Sequence, residues 1–158
     1  MKQLTPDQLQ RPELSEYKAA EKMPVCIVLD NVRSGLNVGA IFRTCDAFSV
    51  ESIYLCGITV HPPHAEILKT ALGATESVTW KSLPDTMNAI DELLASGYSI
   101  LPVEQTDHAV NLDQINLTEL FPIALIFGNE MRGVDPEVLK RCQQSIEIPQ
   151  DGIKHSLN

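Results

Sequence analysis

The sequence predicts an α/β fold in which a mostly parallel sheet carries helices on both faces. Three observations point there. The run Val25-Cys26-Ile27-Val28-Leu29 is apolar at every position, as suits a strand buried on both sides. A similar run, Ile123-Ala124-Leu125-Ile126-Phe127, recurs late in the chain. Between them, strand-like runs alternate with helical patterns of roughly ten residues, the mark of βαβ units and a parallel sheet.

The elements follow in order. Residues 1 to 22 read as a polar extension with a short helix starting at Pro6, and a domain covers residues 23 to 158. After the first strand, Val38, Ile41, Phe42, Cys45 and Phe48 recur at helical spacing, predicting a helix from about Asn37 to Phe48. Ser52 to Cys56 is the next strand, Pro63 to Leu72 a helix, and Ser77 to Lys81 a strand. Pro84 opens a helix to Ser96, ended by Gly97. Tyr98 to Val103 and Ile123 to Phe127 are strands separated by a polar stretch without a clear pattern. Asp135-Pro136 is an N-cap followed by proline at the first helical position, predicting a helix to about Cys142. Ser145 to Ile148 is a last short strand.

The chain has 158 residues, the size of one domain, with 44% hydrophobic and 21% charged residues. That composition belongs to a globular protein rather than a disordered or fibrous one. Cys26, Cys45, Cys56 and Cys142 show no C-x-x-C spacing and lie in or beside apolar runs, so reduced core thiols in a cytoplasmic protein are expected. The apolar runs are far shorter than the ~20 residues of a membrane span, and the start lacks a signal-peptide core. Neither a membrane nor secretion is expected. The net charge of −9 argues against a phosphate-rich partner, but its distribution weakens the objection. Residues 61 to 120 carry nine Asp/Glu against two Lys/Arg, a net of −7, which leaves −2 for the remainder. A local basic patch elsewhere is compatible with that pattern.

Unusual residues gather in three loops, each after a strand, where ligands of open α/β sheets bind. The first, Asn31 to Arg43, reads NVRSGLNVGAIFR. Its glycines permit close backbone approach, and the helix start offers unpaired N–H groups. It matches neither G-x-G-x-x-G nor the Gly-Lys-Ser/Thr phosphate loop. The plain alternative is a strand-to-helix turn capped by Asn37. Arg43 lies about 140° around the helix from Val38, and is either a surface arginine spread along the apolar face or an anion contact. The second loop, FGNEMRGV, brackets Glu130 and Arg132 between Gly128 and Gly133; Glu130 is either a solvated carboxylate or the partner of a guanidinium. The third, IPQDGIKHSLN, runs from Ile148 to Asn158, where the chain stops. His61-x-x-His64 near Cys56 has a weak metal flavour, with no second pair to complete a site.

Taken together, the three loops resemble the three motifs of the SpoU (TrmH) family of RNA 2′-O-ribose methyltransferases, within the SPOUT superfamily. Motif one is NVGAIFRTCDAF with Asn37 and Arg43, motif two FGNEMRGV with Glu130, and motif three IPQDGIKHSLN with Ser156 and Asn158; TALGA lies between the first two. The resemblance covers nearly everything from Val25 onward.

It implies a SPOUT-type fold whose C-terminal part is tied into a trefoil knot, an exception to the rule that chains avoid knots, and it implies a homodimer. It implies S-adenosylmethionine as cofactor, held mainly by backbone groups near Leu101, Val103, Glu104, Gly128, Ile148, Ser156 and Leu157. The catalytic set it implies is Arg43, Asn37, Glu130, Ser156 and Asn158, with no metal. In it, Arg43 is contributed across the dimer and either accepts the ribose proton or clamps an RNA phosphate. Because arginine side chains hold their proton tenaciously, the second role is the easier one chemically. Glu130 is expected to orient Arg43 or its neighbours. The expected substrate is RNA, tRNA or rRNA, with the short N-terminal extension tilting toward tRNA; the alternative is a non-catalytic RNA- or nucleotide-binding protein that keeps the fold. Since the family continues past Asn158 with another helix, the natural chain is expected to be longer.

Overall fold

A computed structural model describes residues 1–153. The expected knot draws on motif three, of which residues 154–158 lie outside the described residues. The N-terminal extension holds a 3-10 turn, Pro6–Leu9, and a short helix α1, Leu14–Ala19. The strands are β1 (Met23–Asp30), β2 (Val50–Cys56), β3 (Thr79–Leu83), β4 (Ser99–Pro102), β5 (Ala109–Asn111), β6 (Ile123–Phe127) and β7 (Ser145–Glu147). The remaining helices are α2 (Gly35–Ala47), α3 (Ala65–Ala71), α4 (Ala74–Ser77), α5 (Thr86–Ala95) and α6 (Pro136–Leu139).

Five strands form one sheet in the order β3-β2-β1-β6-β4, and every pairing in it is parallel. β1 is central, which is why residues 25–29 carry no polar side chain: α2, α3 and α4 cover one face and α5 and α6 the other. The core divides accordingly. Leu29, Val38, Phe42, Leu55 and Ile67 fill one side, and Val28, Ala89, Ile90, Ile126 and Val138 the other. Phe42, fully buried, closes edge-on against Trp80 with centroids 6.3 Å apart. β5 and β7 form a separate parallel pair, tied to the end of β4 by a bridge between Val103 and Ile146.

Several boundaries differ from the sequence reading, each for a local reason. Ser34, not Asn37, caps α2, because its hydroxyl accepts the Asn37 N–H at 3.2 Å. Asp85 caps α5 by accepting from Asn88 N–H at 2.8 Å, so Pro84 precedes the cap instead of occupying the first turn. The third strand starts at Thr79 because residues 74–77 fold as the extra helix α4. The unpatterned stretch contains β5 and a 3-10 turn, Leu117–Glu119. Asp135 does cap α6, accepting from Glu137 N–H at 2.8 Å, but that helix ends at Leu139. Cys26, Cys45 and Cys56 are buried free thiols, each pushed up to about 12, chiefly by burial. Among the described residues no helix is long and apolar enough to cross a membrane.

Candidate active site

Two loops at the carboxyl ends of the central strands are bonded into one unit. β1 ends at Asp30, and Asn31 follows with φ +58°, a left-handed conformation that asparagine tolerates better than most residues. Asn31 accepts from Ile58 N–H through its side chain and from the Asn129 amide through its carbonyl, at 3.1 and 2.7 Å. Val32 N–H is taken by the buried Thr59 hydroxyl at 3.0 Å. Chain direction is thereby set before α2 begins.

Glu130 closes the unit. Its carboxylate accepts from Arg33 N–H at 3.1 Å, Ser34 N–H at 2.9 Å and the Asn37 side-chain amide at 3.2 Å. Burial pushes the Glu130 carboxyl up, but the Ser34 and Arg33 N–H groups and the Asn37 amide outweigh it, so the group lies below its ordinary value. The positive end of α2 is therefore met by an internal anion. Two N–H groups in which the sequence suggests a ligand site are occupied by the protein itself. The loop's glycines likewise serve packing: a Cβ on Gly35 would lie 2.8 Å from the Glu66 Cβ, and one on Gly39 2.1 Å from the Thr70 hydroxyl.

Asn37 and Glu130 are thus together, and Arg43 is apart from them. Six residues separate Arg43 from Asn37, a rotation of about 120° around the helix. Arg43 is exposed and lines a shallow groove between α2 and α3 with Thr44, Phe48 and Lys69. Neither a hydrogen bond nor an ion pair joins it to Glu130. Arg33 and Arg132 project from the two bonded loops, also exposed. Among the described residues, none of Arg33, Arg43, Lys69 and Arg132 is in an ion pair. On a chain of net −9, these four exposed cations lie near the two bonded loops and the α2–α3 face.

The described residues among those expected around a cofactor lie at one end of the sheet, in or just after β4, β6 and β7. Leu101 is buried in β4, Val103 bridges to Ile146, and Glu104 N–H donates to the Ile146 carbonyl at 3.0 Å. Gly128 opens a tight loop closed by two backbone bonds between Asn129 and Gly133, at 2.9 and 2.8 Å. A Cβ on Gly128 would lie 2.1 Å from the Gly133 carbonyl carbon, so the loop cannot close around a larger residue. Ile148 follows β7 and is exposed. Ser156, Leu157 and Asn158 lie outside the described residues. The loops after β4, β6 and β7 thus adjoin, with apolar side chains at half-buried Val103 and exposed Ile148 and with backbone groups at hand, a setting that fits an adenosyl group. Among the described residues no cluster of His, Cys, Asp or Glu could hold a metal ion, and His61 instead stacks on Trp80.

Sequence reasoning passed over Asp30 and Asn129. Asp30 is 1% exposed and accepts from Thr86 Oγ1 at 2.5 Å, Asp135 N–H at 2.8 Å and the Asn31 amide at 2.9 Å. Asn129 accepts from Met131 and Arg132 N–H at 2.9 and 3.2 Å. The one signal for Asp30 is a carboxylate ending an otherwise apolar central strand, which burial makes costly unless it is bonded.

A profile of the SpoU rRNA Methylase family matches residues 24–158. The chain belongs to that family. It is 31% identical over 151 residues to the tRNA (guanosine(18)-2′-O)-methyltransferase of Aquifex aeolicus, covering 92% of this chain and 67% of that protein. Among solved structures, an AdoMet-bound rRNA methyltransferase from Sinorhizobium meliloti superposes with a TM-score of 0.79 at 28% identity, over 87% of this chain and 52% of that one. A TrmH/SpoU tRNA-modifying enzyme from A. aeolicus gives 0.78 at 27% identity, over 92% and 72%. The mostly parallel α/β fold is the one these SpoU proteins share. The chain spans 67%, 57% and 37% of the length of three curated relatives it matches.

Proposed function

We propose that this SpoU-family chain is the methyl-transferring part of an S-adenosylmethionine-dependent enzyme acting on a ribose 2′-hydroxyl of RNA. The observation that carries the reading is the union of motifs one and two through Glu130, Asn37 and the Arg33–Ser34 backbone, beside the loops assigned to the cofactor. The backbone of the loops after β4, β6 and β7 would hold S-adenosylmethionine, together with Ser156 and Leu157; Asn158 would help shape the site. When bound, the cofactor supplies an electrophilic methyl carbon, so the accepting hydroxyl must lose its proton as the new bond forms.

The chain's own residues supply position and charge. Glu130 fixes the start of α2, and with it the direction in which Arg43 projects. Arg43 and Lys69 present positive charge on the α2–α3 face, suited to an RNA phosphate. Arg43 does not reach Glu130 within one protomer, which supports its delivery to a partner's site. The same face exposes Leu36, Phe48, Leu68 and Leu72, an apolar surface that a second copy of the chain would cover. The reading extends to the trefoil knot and to a polar arm, residues 1–22, ahead of the domain. tRNA is the favoured substrate, because the A. aeolicus relative is named for tRNA.

The test is radiolabelled methyl transfer from S-adenosylmethionine to bulk RNA, with labelled nucleotides mapped. The wild-type full-length protein is expected to label tRNA. Arg43→Ala is expected to lower transfer by about a hundredfold or more while cofactor binding and particle size stay unchanged. Undiminished transfer removes Arg43 from the site, and label confined to rRNA overturns the tRNA assignment. RNA binding without any transfer favours the non-catalytic alternative.

A further inference from the structure

Glu104 stands where the loop after β4 meets the motif-two loop. One oxygen of its carboxylate accepts from Val134 N–H at 3.0 Å, and the other from Gln105 N–H at 3.0 Å. Its own N–H donates to the Ile146 carbonyl at 3.0 Å. A single half-buried residue therefore bonds to its own loop, to the return limb of motif two and to β7. Gly133, directly before Val134, has φ +69°, and a Cβ there would lie 2.2 Å from the Glu104 carboxylate oxygen. The carboxylate lies against the bare side of that glycine. The next N–H along, Asp135, is taken by buried Asp30 at 2.8 Å. Two successive N–H groups of the return limb are thus pinned by carboxylates from the ends of two different strands.

We propose that Glu104 is a positioning residue that clamps motif two at Val134 and so holds the β4 and motif-two walls of the cofactor pocket in register. This rests on the reading that these loops bind S-adenosylmethionine. A ligand that must order its own pocket loses affinity, so a loop held in place beforehand binds more tightly. Hydrogen bonds to a charged acceptor are the stronger kind, and the Glu104 carboxylate accepts two N–H groups at once. Glutamine keeps the shape but has only one acceptor oxygen, so its NH2 group must confront one of the two N–H donors.

The experiment uses the full-length protein and compares wild type with Glu104→Gln and Gly133→Ala; the second variant displaces the same carboxylate without removing it. Amide exchange at Val134, measured without cofactor, is expected to speed up about tenfold or more in both variants. S-adenosylmethionine affinity by calorimetry is expected to weaken about tenfold, and KM for the cofactor to rise with kcat held within about threefold, the pattern of lost binding rather than lost chemistry. Unchanged Val134 exchange in both variants overturns the clamp. A lower melting temperature with wild-type cofactor affinity also overturns it, because the residue is then merely structural. Wild-type protein that binds no S-adenosylmethionine sinks the functional reading beneath the proposal; wild-type binding matched by both variants sinks the proposal alone.

Discussion

Glu130 shows how one side chain can serve two motifs. Its carboxylate replaces water at the open end of α2 and ties two loops that are 93 residues or more apart in the chain. Its folded value lies below the ordinary 4.5, so the charged form stabilises the fold. That stabilisation is complete above about pH 4.5 and is lost as pH falls through the folded value. Wild type is therefore expected to melt above Glu130→Gln near neutral pH, with the gap closing as pH drops through the acid range. Melting curves of the pair across that range check it, and a gap that persists or widens in acid contradicts the bonding pattern. The prominence of Glu130 is visible in the sequence, because an acid between two glycines is more polarity than a short turn requires. Its partners are not. Nothing local distinguishes an acceptor for Arg43 from an acceptor for the Arg33 and Ser34 backbone, and only the fold brings residue 130 to the start of α2.

At the level of elements, the close approach of α2 and α3 depends on Gly39. A methyl there would meet the Ile67 carbonyl at 2.4 Å and the Thr70 hydroxyl at 2.1 Å, and that hydroxyl donates to the Leu36 carbonyl at 3.0 Å. Gly39→Ala gains about 1 kcal/mol of helix propensity but forces apart two packed backbones, which costs about 1–3 kcal/mol or more. Net destabilisation by urea titration is the expected result; a more stable variant would mean that α3 yields freely. Elements whose evidence is local are legible in the sequence: β1 from its unbroken apolar run, α6 from Asp135-Pro136, the end of α5 from Gly97. Those lost are short or rest on distant partners. α4 is one turn of small and polar residues, and β5 has three residues whose pairing with β7 no local pattern announces. Asn37 is the cap the sequence suggests for α2, and Ser34 takes that place because its hydroxyl accepts the Asn37 N–H.

At the level of the molecule, the acidic middle of the chain leaves the loop ends and the α2–α3 face with the exposed cations Arg33, Arg43, Lys69 and Arg132. Phe48, 63% exposed, borders the same face and would be covered in the proposed homodimer. Phe48→Glu is expected to convert a dimer into monomers in light scattering, with the circular dichroism spectrum unchanged; a dimer that survives the substitution places the interface elsewhere. That Arg43 is in no ion pair among the described residues could not be read from residue spacing, since it follows from helix phase and from which face α3 covers.

The sheet order has a consequence for how such a chain is made. β6 lies between β1 and β4, yet it begins at Ile123, long after β1 has ended at Asp30. A ribosome emitting this chain releases β1, β2 and β3 as half a sheet, with one flank of the central strand bare and β4 without a neighbour in that sheet. Unpaired apolar edges of this kind invite contact between nascent chains. The arrival of β6 supplies the missing neighbour of both strands in one step, so the apolar flank of residues 25–29 stays bare until more than ninety further residues have been made.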